Sequence, residues 1–365
     1  MNVNEVIANR ALELMGHERG EYEHLHPNQH VNMSQSTNDI YPTALKIALH
    51  SEINRLCAAI ATLRQAFAAK ADEFADVLKM GRTQLQDAVP MTLGQELGSY
   101  ATTLERDERS LRETSLLIGE INLGATAIGT GLNAPPEYAA LACQHLTVIS
   151  GVPLTTASNL IEATQDAIVF VQVSGVLKRI AVKLSKICND LRLLSSGPRA
   201  GFGEINLPAR QAGSSIMSGK VNPVIPEVVN QIAFAVIGND VTISFAAEAG
   251  QLQLNAFGPV ITSSLLNSLQ MLRQDCLTLA ENCVIGITAN RAWLQQSVER
   301  SIGIITALNP YIGYDNATAV AKEALESGRG VAELILERGL LTPSELEELL
   351  KPEVITQPRA LPEFE

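Results

Sequence analysis

Residues 177–194 read LKRIAVKLSKICNDLRLL, and the spacing of their apolar residues decides the fold. Leu177, Ile180, Leu184, Ile187, Leu191 and Leu194 alternate by three and four, which places all of them on one stripe of an α-helix. Lys178, Arg179, Lys183, Lys186 and Arg192 lie around that stripe and predict a solvated or inter-helix polar face. Leu49, Ile53, Leu56, Ile60, Leu63 and Phe67 repeat the pattern. Residues 93–121 and 227–256 are equally long and free of proline, and Pro259 is placed to open a further helix reaching about Ile287. Helices of this length pack side by side, so the expected fold class is all-α, a central bundle of long helices.

Shorter signals flank the bundle. Asn2 and Glu5 have the spacing of an N-cap and its partner, and Gly16 closes that first helix. The stretch from Gly16 to Asp39 is rich in His, Asn, Gln and Ser and predicts a loop. Glycine-rich loops are expected at Gly124–Asn133, Ser195–Gly203 and Ala212–Pro223. Residues 289–365 predict a small helical C-terminal domain, broken at Asn309-Pro310 and at Thr342-Pro343. Thr342 with Glu345 has the form of a capping box, and the Pro- and Glu-rich end is expected to fray. No internal repeat is present.

The chain has 365 residues, 46% hydrophobic and 18% charged, enough apolar content for a large core. Only 4% is aromatic, so that core must be built from Leu, Ile, Val and Ala, which suits helices. A net charge of −12 argues against a nucleic-acid partner but not against a small anion, which needs only local positive potential. The five cysteines include no Cys-x-x-Cys pair and read as reduced core residues of a cytoplasmic protein. Residues 1–30 hold no unbroken apolar stretch, and no apolar run approaches the ~18 residues of a membrane span.

Three polar stretches are candidate sites. Ser34-Gln35-Ser36-Thr37-Asn38-Asp39 gathers hydroxyls and amides at a helix start, where the positive end of the helix favours a carboxylate; a plain N-cap is the simpler reading. Gly81-Arg82-Thr83-Gln84-Leu85-Gln86-Asp87 reads as a polar turn between helices. Gly213–Pro223, GSSIMSGKVNP, sets three serines, a lysine and an asparagine between two mobile glycines, a composition able to bind an anion and move a proton.

Other motifs fall away. Gly124–Gly131 hints at a phosphate loop but lacks the following lysine and follows a helical pattern. His24, His26 and His30 are close in sequence, yet no further His or Cys cluster completes a site, so no metal is expected. No Gly-x-Ser-x-Gly occurs, and every His lies within residues 17–145, a poor fit to a hydrolase triad.

Taken together, SQSTND, GRTQLQDAVPMTLGQE, GATAIGTGLN, SSGPRAG, GSSIM and KVNP resemble the fumarase/aspartase superfamily, in that order and over Met1 to about Leu349. GSSIMSGKVNP is similar to that family's mobile signature loop. Gln84, where hydratases carry histidine after GRT, resembles the aspartate ammonia-lyase branch. So do AAEAGQLQLN at 246–255, LIEATQDA and KICNDLRLLSSGPRAG.

The resemblance implies a homotetramer whose active sites are each built from loops of three subunits. It implies elimination of ammonia from L-aspartate to give fumarate and ammonium, with no metal or organic cofactor. A proton leaves the carbon beside one carboxylate, which becomes an aci-carboxylate, and ammonia leaves the neighbouring carbon. Ser214 would be the general base, its oxyanion stabilised by Lys220 and by backbone N–H groups of the closed loop. Ser36, Thr37 and Ser215 would hold the aci-carboxylate. Lys220, Asn222 and Thr83 would hold the other carboxylate, and Asn38 and Gln84 would contact the amino group. The resemblance divides the chain into an N-terminal remnant with a substrate-binding loop (1–39), the bundle carrying the catalytic loop (40–288) and the C-terminal domain (289–365). The HPNQHVN stretch at His26–Asn32 is similar to a second, non-catalytic anion site of the hydratases.

Two departures stand out. Family members carry an earlier segment that ends in a Thr- and Ser-containing loop closing in Asn-Met-Asn, and this sequence starts at what resembles that Met-Asn. Loss of its threonine contact would cost ~1.5–3 kcal/mol, a rate loss of roughly tenfold to a hundredfold or more. Ser218 stands where the family usually has proline, which would make loop closure entropically costlier. The alternatives are a fumarate hydratase and a truncated, non-catalytic helical oligomer.

Overall fold

The computed structural model describes residues 2–358; the C-terminal end expected to fray lies mostly outside them. The chain is mostly helical. Its helices are α1 (Asn2–Met15), α2 (Thr37–Glu73), α3 (Leu93–Leu117), α4 (Tyr138–Ser150), α5 (Leu160–Gln165), α6 (Ile168–Leu194), α7 (Val224–Glu248), α8 (Gly258–Asn282), α9 (Arg291–Arg300), α10 (Ile304–Ile312), α11 (Tyr314–Ser327), α12 (Val331–Glu337), α13 (Pro343–Leu349) and α14 (Pro352–Ile355). The strands are short: β1 (Leu78–Thr83), β2 (Gln86–Thr92), β3 (Glu120–Ile121), β4 (Thr155–Thr156), β5 (Ile205–Asn206) and β6 (Thr288–Ala289).

The two stripes read from the sequence are the cores of α2 and α6. All six residues of the α2 stripe are fully buried, and those of the α6 stripe are at most 5% exposed. The polar flank of α6 is largely an inter-helix face. Lys178 pairs with Asp240 of α7 at 2.6 Å, and Lys183 with the buried Asp107 of α3 at 2.8 Å.

Two compact units make up the chain. The first holds Met1–Ala58, Glu108–Val182 and Ile232–Arg273; the second holds Ala59–Asp107, Lys183–Gln231 and Gln274–Glu365. In the first, β3 pairs in parallel with β4, and Ile121, Leu123, Cys143, Val152 and Leu154 pack together. In the second, β1 and β2 form an antiparallel hairpin, and Leu78 and Met80 of β1 join a core with α9–α13.

Three local expectations are corrected. Residues 81–87 form the hairpin rather than a turn between helices, because Lys79–Arg82 pair across to Met91–Asp87. The break expected at Asn309-Pro310 falls at Gly313, whose φ is +78°. Pro310 lacks an N–H to donate, but buried Ile304, Ile305, Leu308 and Ile312 carry α10 past it. The loop expected from Gly16 to Asp39 contains a π-helical turn, Pro27–Val31, and ends when α2 starts at Thr37. The capping box at Thr342 is present: Thr342 Oγ1 accepts from Glu345 N, and Thr342 N donates to the Glu345 carboxylate at 2.8 Å.

The helix α7 is long and apolar enough, by length and composition, to cross a membrane. Its two buried polar residues, Asn230 and Asp240, nevertheless have protein partners. Asp240 takes Lys178 and Ser174, and the Asn230 side chain donates to Ser185 and Asn189. All five cysteines are free and buried, and burial pushes the Cys283 thiol up to about 12.

Candidate functional site

The first unit carries the loop at 34–39. Ser36 is the N-cap of α2: its Oγ accepts the Asn38 N–H at 3.2 Å, and its own N–H donates to Asp39 Oδ1 at 3.0 Å. The Ser36 hydroxyl thus caps the second N–H of the helix, and the carboxylate of the third residue returns to the Ser36 N–H. Asp39 is fully buried, and its Oδ2 accepts the N–H groups of Gly124 and Thr126 at 3.2 and 2.9 Å. Burial pushes the Asp39 carboxyl up, against the backbone N–H groups that favour its charge. The Asn38 amide donates to Ala127 O at 2.7 Å, so the helix start is tied at two points to the Gly124–Gly131 loop.

Those glycines serve close approach, not phosphate. A Cβ on Gly124 would lie 2.6 Å from Ala139 Cβ, and one on Gly129 would lie 2.3 Å from Ile161 Cα. Thr37 and Asn38 face a cavity of about 330 Å³ that Tyr41, Phe170 and Asn255 also line.

The second unit carries the other two groups. Thr83 and Gln84 stand exposed at the hairpin tip. Gln84 and Leu85 have φ of +53° and +65°, the two successive left-handed residues of a tight hairpin turn. Below the tip runs a buried chain of charge. Glu204, 2% exposed, pairs with Arg82 and, at 2.7 Å, with Lys79, itself 1% exposed; Lys79 also pairs with Glu96 at 2.6 Å. The Arg82 guanidinium lies 4.4 Å from the centre of the Phe202 ring. Glu204 and Phe202 thus hold the base of the tip that presents Thr83 and Gln84. Sequence reasoning missed Lys79 and Glu204, because only the unforeseen hairpin puts them together.

In the loop at 213–223, Gly213 N donates to Lys220 O at 2.7 Å and the Asn222 amide donates to Gly213 O at 3.2 Å, which closes the loop at its base. Ser214 Oγ accepts the N–H groups of Ile216 and Met217 at 3.2 and 3.0 Å. Two donors aimed at one hydroxyl oxygen would stabilise it once it carried negative charge. Lys220 and Asn222 line a cavity of about 730 Å³ with Arg192, Ser195 and Pro223. Ser215 is exposed. The structure thus joins Ser36, Thr37 and Asn38 on one helix start, Thr83 and Gln84 on one turn, and Ser214, Ser215, Lys220 and Asn222 on one loop. Among the described residues, no hydrogen bond or ion pair links the turn to the loop.

The site residues thus lie on loops that flank long helices, with Ser214 held under two backbone N–H donors. The class of protein follows from comparison with known families. A lyase family model matches residues 1–238, and a model for the fumarase C C-terminus matches residues 304–357. The aspartate ammonia-lyase of Pseudomonas canavaninivorans is 61% identical over 99% of this chain and 77% of its own length. That of Escherichia coli K12 is 56% identical over 98% and 75%. A crystal structure of fumarate lyase:delta crystallin from Brucella melitensis bound to cobalt superposes with a TM-score of 0.94 at 55% identity, over 98% of this chain and 78% of that one. A recombinant class II fumarase from Schistosoma mansoni gives 0.89 at 36% identity, over 96% and 77%. The chain belongs to the fumarase/aspartase superfamily.

Proposed function

We infer that the chain is a carbon–nitrogen lyase that eliminates ammonia from L-aspartate to give fumarate. The observation that carries this is its identity of 56–61% with aspartate ammonia-lyases across 98–99% of the chain. The class II fumarase of Schistosoma mansoni is more distant, at 36%. Gln84 at the hairpin tip supports the same choice, since a neutral amide suits an ammonium better than a protonated histidine would.

Ser214 is the proposed base. Its oxyanion takes the proton from the carbon beside one carboxylate, and the C–H electrons move into that carboxylate as the aci-form. Collapse of the aci-form makes the C=C bond and expels ammonia from the neighbouring carbon. The N–H groups of Ile216 and Met217 on Ser214 Oγ support this role. Ser36, Thr37 and Ser215 are assigned to the aci-carboxylate, Lys220, Asn222 and Thr83 to the other carboxylate, and Asn38 and Gln84 to the amino group.

A homotetramer with sites shared among subunits belongs to the same proposal. Phe234, Val241 and Phe245 of α7 are 62%, 51% and 69% exposed, apolar surface suited to packing against another helix. The core of α9–α13 supports a C-terminal domain, and free, buried cysteines support a reducing, cytoplasmic setting. The substrate is tested by ultraviolet assay of fumarate from L-aspartate and from L-malate in parallel. Fumarate from aspartate alone is expected; fumarate from malate alone would replace the ammonia-lyase with a hydratase.

A further inference from the structure

We propose that His17, Glu21 and His24 bind a divalent transition-metal ion of the zinc class, at a site separate from the residues assigned to the reaction. One ligand atom from each of the three side chains lies within 4.8 Å of the other two. His17 Nδ1 is 3.1 Å from Glu21 Oε2, and the His17 and His24 rings stack at 3.8 Å with planes 17° apart. Bonds of roughly 2.0–2.2 Å from zinc to imidazole nitrogen and carboxylate oxygen would require the two imidazoles to turn out of their stack, so that one in-plane lone pair of each converges on the ion. Two imidazoles and one carboxylate favour zinc, nickel or cobalt over magnesium or calcium, which prefer all-oxygen shells.

The backbone that carries the three ligands is already held. Gly16, at φ +86°, turns the chain out of α1. Asn9 of α1 accepts the Gly20 N–H at 2.9 Å, Glu21 N donates to Glu18 O at 3.3 Å, and His24 N donates to Glu21 O at 3.1 Å. The nearby cations are engaged elsewhere: Arg10 and Arg19 both pair with Glu13. Among the described residues the His24 ring nitrogens and Glu21 Oε1 take no hydrogen bond.

The structure also separates this trio from the histidines that stand closest in sequence. His26 Nδ1 accepts the N–H groups of Asn28 and Gln29, and His30 Nδ1 accepts that of His26, so both rings serve the π-helical turn. His24 finds its partner seven residues earlier instead, in His17.

The test is calorimetric titration of zinc into the chelator-treated full chain, with His17→Ala, His24→Gln and, as a surface control, His145→Ala. The buried thiols leave imidazole and carboxylate as the accessible ligands. One zinc per chain is expected, retained in His145→Ala and weakened on the order of a hundredfold in each of the other two. His24 is exposed, so its substitution tests the site even if His17→Ala disturbs the turn. No zinc binding, or binding that His24→Gln leaves unchanged, would overturn the proposal.

Discussion

Asp275 of α8 is 2% exposed, and among the described residues neither of its carboxylate oxygens has a hydrogen-bond partner. Burial pushes its pKa up to about 7. The folded state therefore holds the proton more tightly than the unfolded state does. The stability this residue contributes is complete below the ordinary carboxylate range and is lost as pH rises through about 7. Asp275→Asn is expected to raise the melting temperature at about pH 8, by an amount worth on the order of a few kcal/mol, and to change it little near pH 4. Thermal denaturation at the two pH values decides; a gain of equal size at both would point to packing rather than charge.

Glu204 is the opposite case, a buried carboxylate with cations on both oxygens. Glu204→Gln strands the Lys79 charge with Glu96 alone and releases Arg82. It should destabilise the protein by about 3 kcal/mol, read from denaturant unfolding, and lower turnover by loosening the tip that carries Thr83 and Gln84. Full stability in this variant would show the charge chain to be incidental. The sequence made the Thr and Gln of the tip legible as polar loop residues. It gave no hint of Glu204, because that residue's role depends on a contact with a segment more than a hundred residues away.

At the scale of elements, the long helices were legible because their stripes repeat every three or four residues and every stripe residue is buried. The hairpin was not. Its turn is Gln84-Leu85, two residues that rarely take positive φ, in place of the Asn-Gly that announces such turns. The signature loop was legible as a mobile, polar segment, and the structure adds the form of its tip. Lys220 N donates to Met217 O at 3.2 Å, and Gly219 has a φ of +80°. A four-residue turn with a left-handed glycine third is the type II pattern, which favours proline second. Ser218 is second, and its N–H donates to nothing among the described residues. Ser218→Pro should therefore stiffen the loop by up to ~1 kcal/mol and raise turnover. A lower or unchanged rate would show that the loop needs its present freedom to close.

At the scale of the whole molecule, the polar groups read from sequence fall on separate loops of two units, each at the end or base of a long helix or hairpin. A loop distant in sequence can be assigned to a common site only through the family, because periodicity and capping report local structure alone. The family itself rests on the full length of the match, through both units. The central claim, that Ser214 supplies the base of an aspartate-cleaving lyase, is tested most directly by following fumarate from L-aspartate with the unaltered chain and with Ser214→Ala. Fumarate is expected from the first and a loss of on the order of a thousandfold or more in the second, with helical content unchanged. Equal rates in the two proteins would contradict it.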